Sequence, residues 1–216
     1  MTTPVRILDF GAGFFLRRAR TEDRDDLGLI CLRTGDAGQD ASGREDAPEL
    51  LGLIFAIPYQ LFEPDLAFVI EGPDGAAGYL FGARDTDAFN ARLERDWYPT
   101  LRQRYSNPGP DPSKWSGSDW ARYLVHQPAR SLPGSLTPYP SHGHIDLLAE
   151  ARGRGIGRRA MEFLMDLLRE EGSPGIHLQV DPRNDNALQF YEALGFRRVA
   201  GSDLPPGIAF MAKALL

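Results

Sequence analysis

One stretch limits the folds open to this chain more than any other: a strand at 144–148, a glycine-rich turn, a helix at 155–171 and a second strand at 176–180. A strand, helix, strand order of this length points to a partly parallel sheet with helices packed over it, an α/β sandwich. The helix is amphipathic, with Ile156, Ala160, Phe163, Leu164 and Leu167 recurring at helical spacing to form a buried stripe. Gly172 stops it, and Pro174 prevents it from resuming. Its start is the unusual part. Residues 151–159 read ARGRGIGRR, with glycines at 153, 155 and 157 among Arg152, Arg154, Arg158 and Arg159. The first N–H groups of a helix have no internal partners, and the helix dipole adds about half a positive charge there. Glycines leave those amides unshielded, so an anion such as a diphosphate can dock on them. The spacing G-x-G-x-G differs from the dinucleotide fingerprint, and no Gly-Lys-Ser/Thr closes a nucleotide-triphosphate loop.

The rest of the chain reads as follows. Residues 14–20 form a strand, and Thr21 is the expected N-cap of a helix to about residue 33, with acidic residues in its first turns. Residues 35–48 are a polar loop, and the apolar run 50–61 is broken by Pro58. Strands at 66–71 and 77–83 make a hairpin across Gly72-Pro73-Asp74-Gly75. A helix over 87–105 is interrupted near Pro99, residues 113–127 hold a short helix, and 128–140, with prolines at 128, 133, 138 and 140, is irregular. A second terminal helix spans 185–194, and closing strands are expected at 196–199 and 208–212. No apolar run approaches the roughly 18 residues of a membrane span, and no basic-then-apolar leader opens the chain. Cys31 is the only cysteine, which excludes an intrachain disulfide and a cysteine-based zinc site and suggests a reducing, cytoplasmic compartment. A net charge of −6 argues against a nucleic-acid binder. Lys114 and Lys213 are the only lysines, and the abundance of arginine, alanine, glycine and proline suggests a GC-rich bacterial source.

RGRGIG at 152–157 matches the [Q/R]-x-x-G-x-[G/A] loop of the GNAT acetyltransferase superfamily, and NDNALQFYEALGF at 184–196 resembles its second motif, N-x-x-A-x-x-[F/Y]-Y-x-x-x-G-F. A narrower resemblance, carried by LAFVIEGPDGAAGYLFGARDTDAFNARLERDWYPTLRQRY at 66–105 and YPSHGHIDLL at 139–148, is to bacterial acetyltransferases similar to the C-terminal acetyltransferase-like domain of animal O-GlcNAcase. The resemblance implies a single domain over 1–216. It would be a three-layer αβα sandwich with a mixed, centrally splayed sheet and a helical insertion at 86–140 before the central strand. It also implies acetyl-CoA as co-substrate, no metal, and a small-molecule or protein amine as acceptor, in a monomer or homodimer without nucleic-acid or membrane partners. The alternative is a non-catalytic module that binds acetyl-CoA.

By the same resemblance, the amides of Gly153, Arg154, Gly155, Ile156 and Gly157 would hold the pyrophosphate, with Arg152, Arg158 or Arg159 nearby. The backbone of Leu147 and Leu148 would hold the pantetheine arm, Asn184 would contact the cofactor, and Tyr191 would protonate the departing thiolate. The adjacent rings of Phe190 and Tyr191 are expected on different sides of their helix, one facing the core and one the site. Strand alternation sets His142, His144 and Asp146 on one face and Gly143, Ile145 and Leu147 on the other. In the resembled fold this strand is central, so a polar row there needs a reason: a base, a water relay or an acceptor anchor. Ordinary buried hydrogen bonding and a metal site of two histidines and an aspartate are the alternatives. Asp146 is the first candidate for proton acceptor and His144 the second, with His142 beside them in the acceptor pocket. His177, alone on its strand, reads as structural. The insertion, returning at Tyr139 to His142, is expected to border that pocket.

Overall fold

The computed structural model describes residues 5–216. Among these, β1 (Leu8–Gly11), β2 (Phe14–Arg18), β3 (Ala67–Gly72), β4 (Gly75–Ala83), β5 (Ser141–Leu147), β6 (Gly175–Val180), β7 (Arg197–Arg198) and β8 (Ala209–Ala214) form one sheet. Its order is β1-β2-β3-β4-β5-β6-β8-β7. Every neighbouring pair is antiparallel except β5 and β6, which run parallel. That pairing is brief: only Ser141↔Ile176 and His142↔His177 are in register, and the two strands then part. The mixed sheet with a central splay is therefore as expected.

Helices cover both faces. On one side lie α1 (Arg24–Thr34), α2 (Glu49–Phe55), α3 (Ile57–Phe62), α4 (Thr86–Asp96), α5 (Tyr98–Arg104) and α6 (Asp119–His126). Leu27, Ile30, Leu50, Leu51, Leu93, Leu101 and Val125 join Val69, Tyr79 and Phe81 of the sheet in one core. On the other side, α7 (Ile156–Glu170) and α8 (Asp185–Ala193) bury Ile156, Leu164, Leu168 and Tyr191 against Leu16, Phe68, Ile70 and Leu80. Small residues set that distance, since a Cβ on Gly82 of β4 would meet Leu164 of α7 at 2.7 Å. Residues 86–140 are no detached appendage. Their two ends are tied by Thr86 N–H donating to the Pro140 carbonyl at 2.9 Å, and Trp97 Nε1 donates to the Leu53 carbonyl at 2.7 Å.

Several local readings change. Thr21 caps nothing: residues Thr21–Asp23 form a short 3₁₀ turn, and α1 begins at Arg24. The cause is Asp23, which accepts from the Arg20 N–H at 2.6 Å and ion-pairs with buried Arg17 at 2.7 Å. Glu71 takes the other side of the same guanidinium at 2.6 Å, so a tertiary pair across β2 and β3 outweighs the local cap preference. The apolar run breaks at Ala56 rather than Pro58, and the following helix at Trp97 rather than Pro99. In both, proline falls in the first turn of the next helix, where its missing N–H costs nothing. The helix read at 113–127 begins only at Asp119, and β5 starts at Ser141, three residues before the pattern suggested, because Ser141 Oγ donates to the Arg84 carbonyl at 2.6 Å.

Candidate functional site

The site lies where β5 leaves β6. On one wall is the start of α7. Gly153 and Gly155 hold φ of +71° and +75°, and a Cβ at either would meet nothing within 4 Å. No side chain caps this helix end, and among the described residues no protein acceptor takes the N–H groups of residues 153–158. Gly157 is different. A Cβ there would press on Phe190 at 3.3 Å and Leu147 at 3.4 Å, so this glycine serves close packing of α7 on α8 and β5. The amides are thus open at 153 and 155, and the pocket behind them is filled.

The arginines are not equivalent either. Arg154 stacks over Phe14 and Arg159 over Phe10, both 5.2 Å from guanidinium carbon to ring centroid, which holds the two charges against the β1–β2 hairpin. Arg158 reaches the Ala193 carbonyl at 3.2 Å and pairs with Glu162 at 3.6 Å. Arg152 turns back from the helix end. Its Nε donates to the Leu147 carbonyl at 2.7 Å and its Nη2 to the Gly38 carbonyl at 2.9 Å.

The strand behind this wall has two unlike edges. Leu148 N–H donates to the Ala77 carbonyl at 2.8 Å, so its amide belongs to the β4 edge. Backbone groups alternate along an antiparallel strand, which turns those of Ile145 and Leu147 toward the splay. Of the two leucines expected to offer backbone groups there, Leu147 has the open edge. Asn184 caps α8, its Oδ1 accepting from Ala187 N–H at 3.0 Å, and a Cβ on Gly38 would lie 3.1 Å from its Nδ2.

Gly38 belongs to the loop between α1 and α2, which spans the site. At one end a tight turn pairs Asp36 with Gln39, and the Asp36 carboxylate bridges Arg44 at 2.7 Å and Arg183 at 2.9 Å. At the other end the loop grips the insertion. Asp46 meets Arg122 at 2.8 Å and accepts from Ser118 N–H at 2.7 Å, while Ser118 Oγ accepts from Ala47 N–H at 3.0 Å. Glu45 Oε1 accepts from Trp120 Nε1 at 3.1 Å. Trp120 in turn stacks on Phe55 at 6.0 Å, and the edge of Phe55 faces His144 at 6.5 Å. The insertion therefore reaches the polar strand through Trp120 and Phe55, and directly through Thr86.

The polar row of β5 comes together as the alternation predicts, but its members differ. His142 is enclosed: Tyr59 Oη lies 2.8 Å from Nε2 and Thr86 Oγ1 2.8 Å from Nδ1. Burial, with smaller contributions from His177 and His144, pushes its pKa down to about 3, so it is a neutral, fully bonded tie between β5, α3 and α4. His177 is likewise held below the ordinary range, mainly by burial, with its Nδ1 on the Tyr139 carbonyl at 2.8 Å. His144 goes the other way. Burial opposes its charge, but the Asp146 carboxylate outweighs burial and raises its pKa. Its Nδ1 donates to the Phe55 carbonyl at 2.9 Å, and its Nε2 lies 3.2 Å from Asp146 Oδ2. A third group enters that the sequence did not offer. Tyr79 of β4 stands opposite Asp146 in register, and its hydroxyl donates to Oδ2. Among the described residues no three metal-ligating side chains converge on a common point.

Tyr191 is buried, with its ring 5.1 Å from Phe190 and 5.7 Å from Phe196. Of the two adjacent aromatics, Tyr191 lies in the core, and Phe190, half-buried, packs against it and toward Gly157 at the start of α7. No protein group among the described residues hydrogen-bonds the Tyr191 hydroxyl, and burial, then the Asp146 charge, push its pKa well up. Its hydroxyl therefore keeps its proton and has no protein acceptor among the described residues.

Comparison with known proteins bears on this geometry. Residues 95–196 match the family model described as the acetyltransferase (GNAT) family. The crystal structure of SsHAT is 35% identical, covers 94% of this chain and 99% of its own, and superposes with a TM-score of 0.86. The chain belongs to the GNAT acetyltransferase family. Protein O-GlcNAcase of Rattus norvegicus is 25% identical over 173 residues, which are 79% of this GNAT chain but 19% of that protein, so the chain spans about a fifth of the curated relatives it matches first. The GNAT phosphinothricin acetyltransferase of Sinorhizobium meliloti, whose structure holds acetyl-CoA, shares the fold at 15% identity, 94% and 88% coverage and a TM-score of 0.52.

Proposed function

We propose that this GNAT chain transfers the acetyl group of acetyl-CoA to a primary amine by direct attack in a ternary complex. The observation that carries the reading is the pairing, at one splay, of amides at 153–158 with a carboxylate, Asp146, where among the described residues no protein group takes those amides or occupies Oδ1. The residues present fit the co-substrate. Left-handed Gly153 and Gly155 with open space above them suit a pyrophosphate, and the free edge of Leu147 suits an amide-bearing arm once Arg152 is released. When bound, acetyl-CoA supplies an activated acetyl carbon and a thiolate leaving group.

The chain's own groups then do the rest. Asp146 Oδ1 takes a proton from the acceptor ammonium, and the freed nitrogen lone pair forms the new C–N bond as the C–S bond breaks. Tyr191 gives its proton to the departing sulfur and recovers one from the nitrogen through solvent, so the net release is one proton. The single buried thiol, Cys31, fits a reducing cytoplasm.

Thermal unfolding with acetyl-CoA tests the first half. At 100 times its dissociation constant the ligand stabilises the fold by about 2.7 kcal/mol, or roughly 5–11 °C for a chain of this size. An amine screen with Tyr191→Phe tests the second, with kcat falling about 10²–10⁴-fold and the thermal shift kept. Binding with no turnover on any amine would leave an acetyl-CoA-binding module instead.

A further inference from the structure

We propose that Tyr79 is a positioning residue: its hydroxyl fixes Asp146 by one oxygen so that the other alone faces the acceptor amine. This rests on Asp146 being the proton acceptor. Tyr79 is 0% exposed, and six register pairs between β4 and β5 set it directly across from Asp146. Its ring stacks on Phe81 at 4.3 Å and stands edge-on to His144 at 5.2 Å, and its hydroxyl reaches Asp146 Oδ2 with His144 Nε2 at 3.4 Å beside it. Oδ2 thus receives the phenol and, at 3.2 Å, His144 Nε2, whose ring is oriented by the Phe55 carbonyl. Among the described residues Oδ1 has no such donor, and the Asp146 side chain is 23% exposed.

A phenylalanine would satisfy the stacking equally well. A buried hydroxyl is tolerated only when it is matched, and here its match is the carboxylate. Burial and the Asp146 charge hold the phenol well above its ordinary pKa, so it remains a donor. The titratable groups facing Asp146 are Tyr79 from β4, His144 from its own strand, Cys31 from α1 and Tyr191 from α8. Of these, Tyr79 and His144 reach Oδ2, and Tyr79 is the hydroxyl donor.

The test is Tyr79→Phe in the full chain, read by the pH profile of kcat/KM, with Asp146→Asn alongside. Removing a donor to the carboxylate should move the acidic limb of kcat/KM to higher pH, with the acetyl-CoA thermal shift unchanged. An unmoved limb in a variant that melts like the parent overturns the role. Asp146→Asn separates the two ideas: normal turnover in that variant would sink the proton-acceptor reading itself, whereas lost turnover with an unmoved Tyr79→Phe limb would sink only this one.

Discussion

On the α7 side of the splay the groups proposed to hold the anion come from one run, 153–158, and they are backbone amides; on the β4 side the carboxylate cluster draws on Phe55 of α2, Tyr79 of β4 and His144 and Asp146 of β5. The first wall is indifferent to most side chains but intolerant of any Cβ that blocks an amide. The second depends on a register across some sixty residues of sequence, fixed by packing that lies far from any ligand. The walls should therefore fail differently when disturbed.

The largest difference should come from Gly155→Asp. It sets a carboxylate over the amides and asks a non-glycine residue to hold φ +75°. We expect acetyl-CoA binding to vanish in calorimetry, with the strain of about 1–2 kcal/mol lowering the melting temperature by only about 2–8 °C. Retained binding would mean that the anion sits elsewhere.

Acid should find the other wall. The unfolded chain protonates histidine near pH 6.5, whereas folded His142 stays neutral down to about 3. Below pH 6.5 the unfolded state binds the extra proton, so stability falls with pH by up to about 1.4 kcal/mol per unit from His142 alone. His177, also depressed, adds in the same direction. His144 has the opposite sign: its contribution is complete below pH 6.5 and is lost only as pH climbs through its raised value, so it cannot cancel the fall. Urea titrations between pH 6.5 and 5 measure the slope, and a flat profile would show that the buried histidines are wetter than their bonding indicates.

Gly157→Ala sharpens the division within the first wall. Its methyl would crowd Phe190 and Leu147 without covering an open amide, so we expect a stability loss of about 1 kcal/mol and an acetyl-CoA affinity within a few-fold of the parent. Asp46→Asn should have the smallest effect. It weakens one partly exposed pair holding the α1–α2 loop to α6, worth under about 1 kcal/mol, and should raise the acceptor KM by less than about fivefold in steady-state assays.

This contrast also explains what the sequence disclosed. The glycine run and the alternation of His142, His144 and Asp146 are local patterns with local consequences, and each was legible; the stripe of α7 was legible in part, since Phe163 and Leu167 are half-buried while Met161, Met165 and Leu168 are buried. Tyr79 was not, because nothing in GAAGYLFGA says that it will face a residue 67 positions later. The lost cap at Thr21 has the same origin: Asp23 is claimed by Arg17, whose other partner, Glu71, lies 54 residues away from it. The short strand β1 left no alternation to read, since the hairpin LDFGAGFF turns through positive φ at Gly11, Ala12 and Gly13. Nor did the arginines announce their different tasks. Only the hairpin beneath Arg154 and Arg159, and the carbonyls of Leu147 and Gly38 beside Arg152, separate them.

The parting of β5 from β6 after His142 leaves one strand with two exchange regimes. Amides on its β4 edge are locked in the ladder and should trade hydrogen for deuterium only when the sheet opens. Those of Ile145 and Leu147, on the other edge, should trade within the dead time of the experiment. A ligand laid along that edge would slow these two and spare their neighbours. Occupancy of the groove can thus be read, at single-residue resolution, before any acceptor is found.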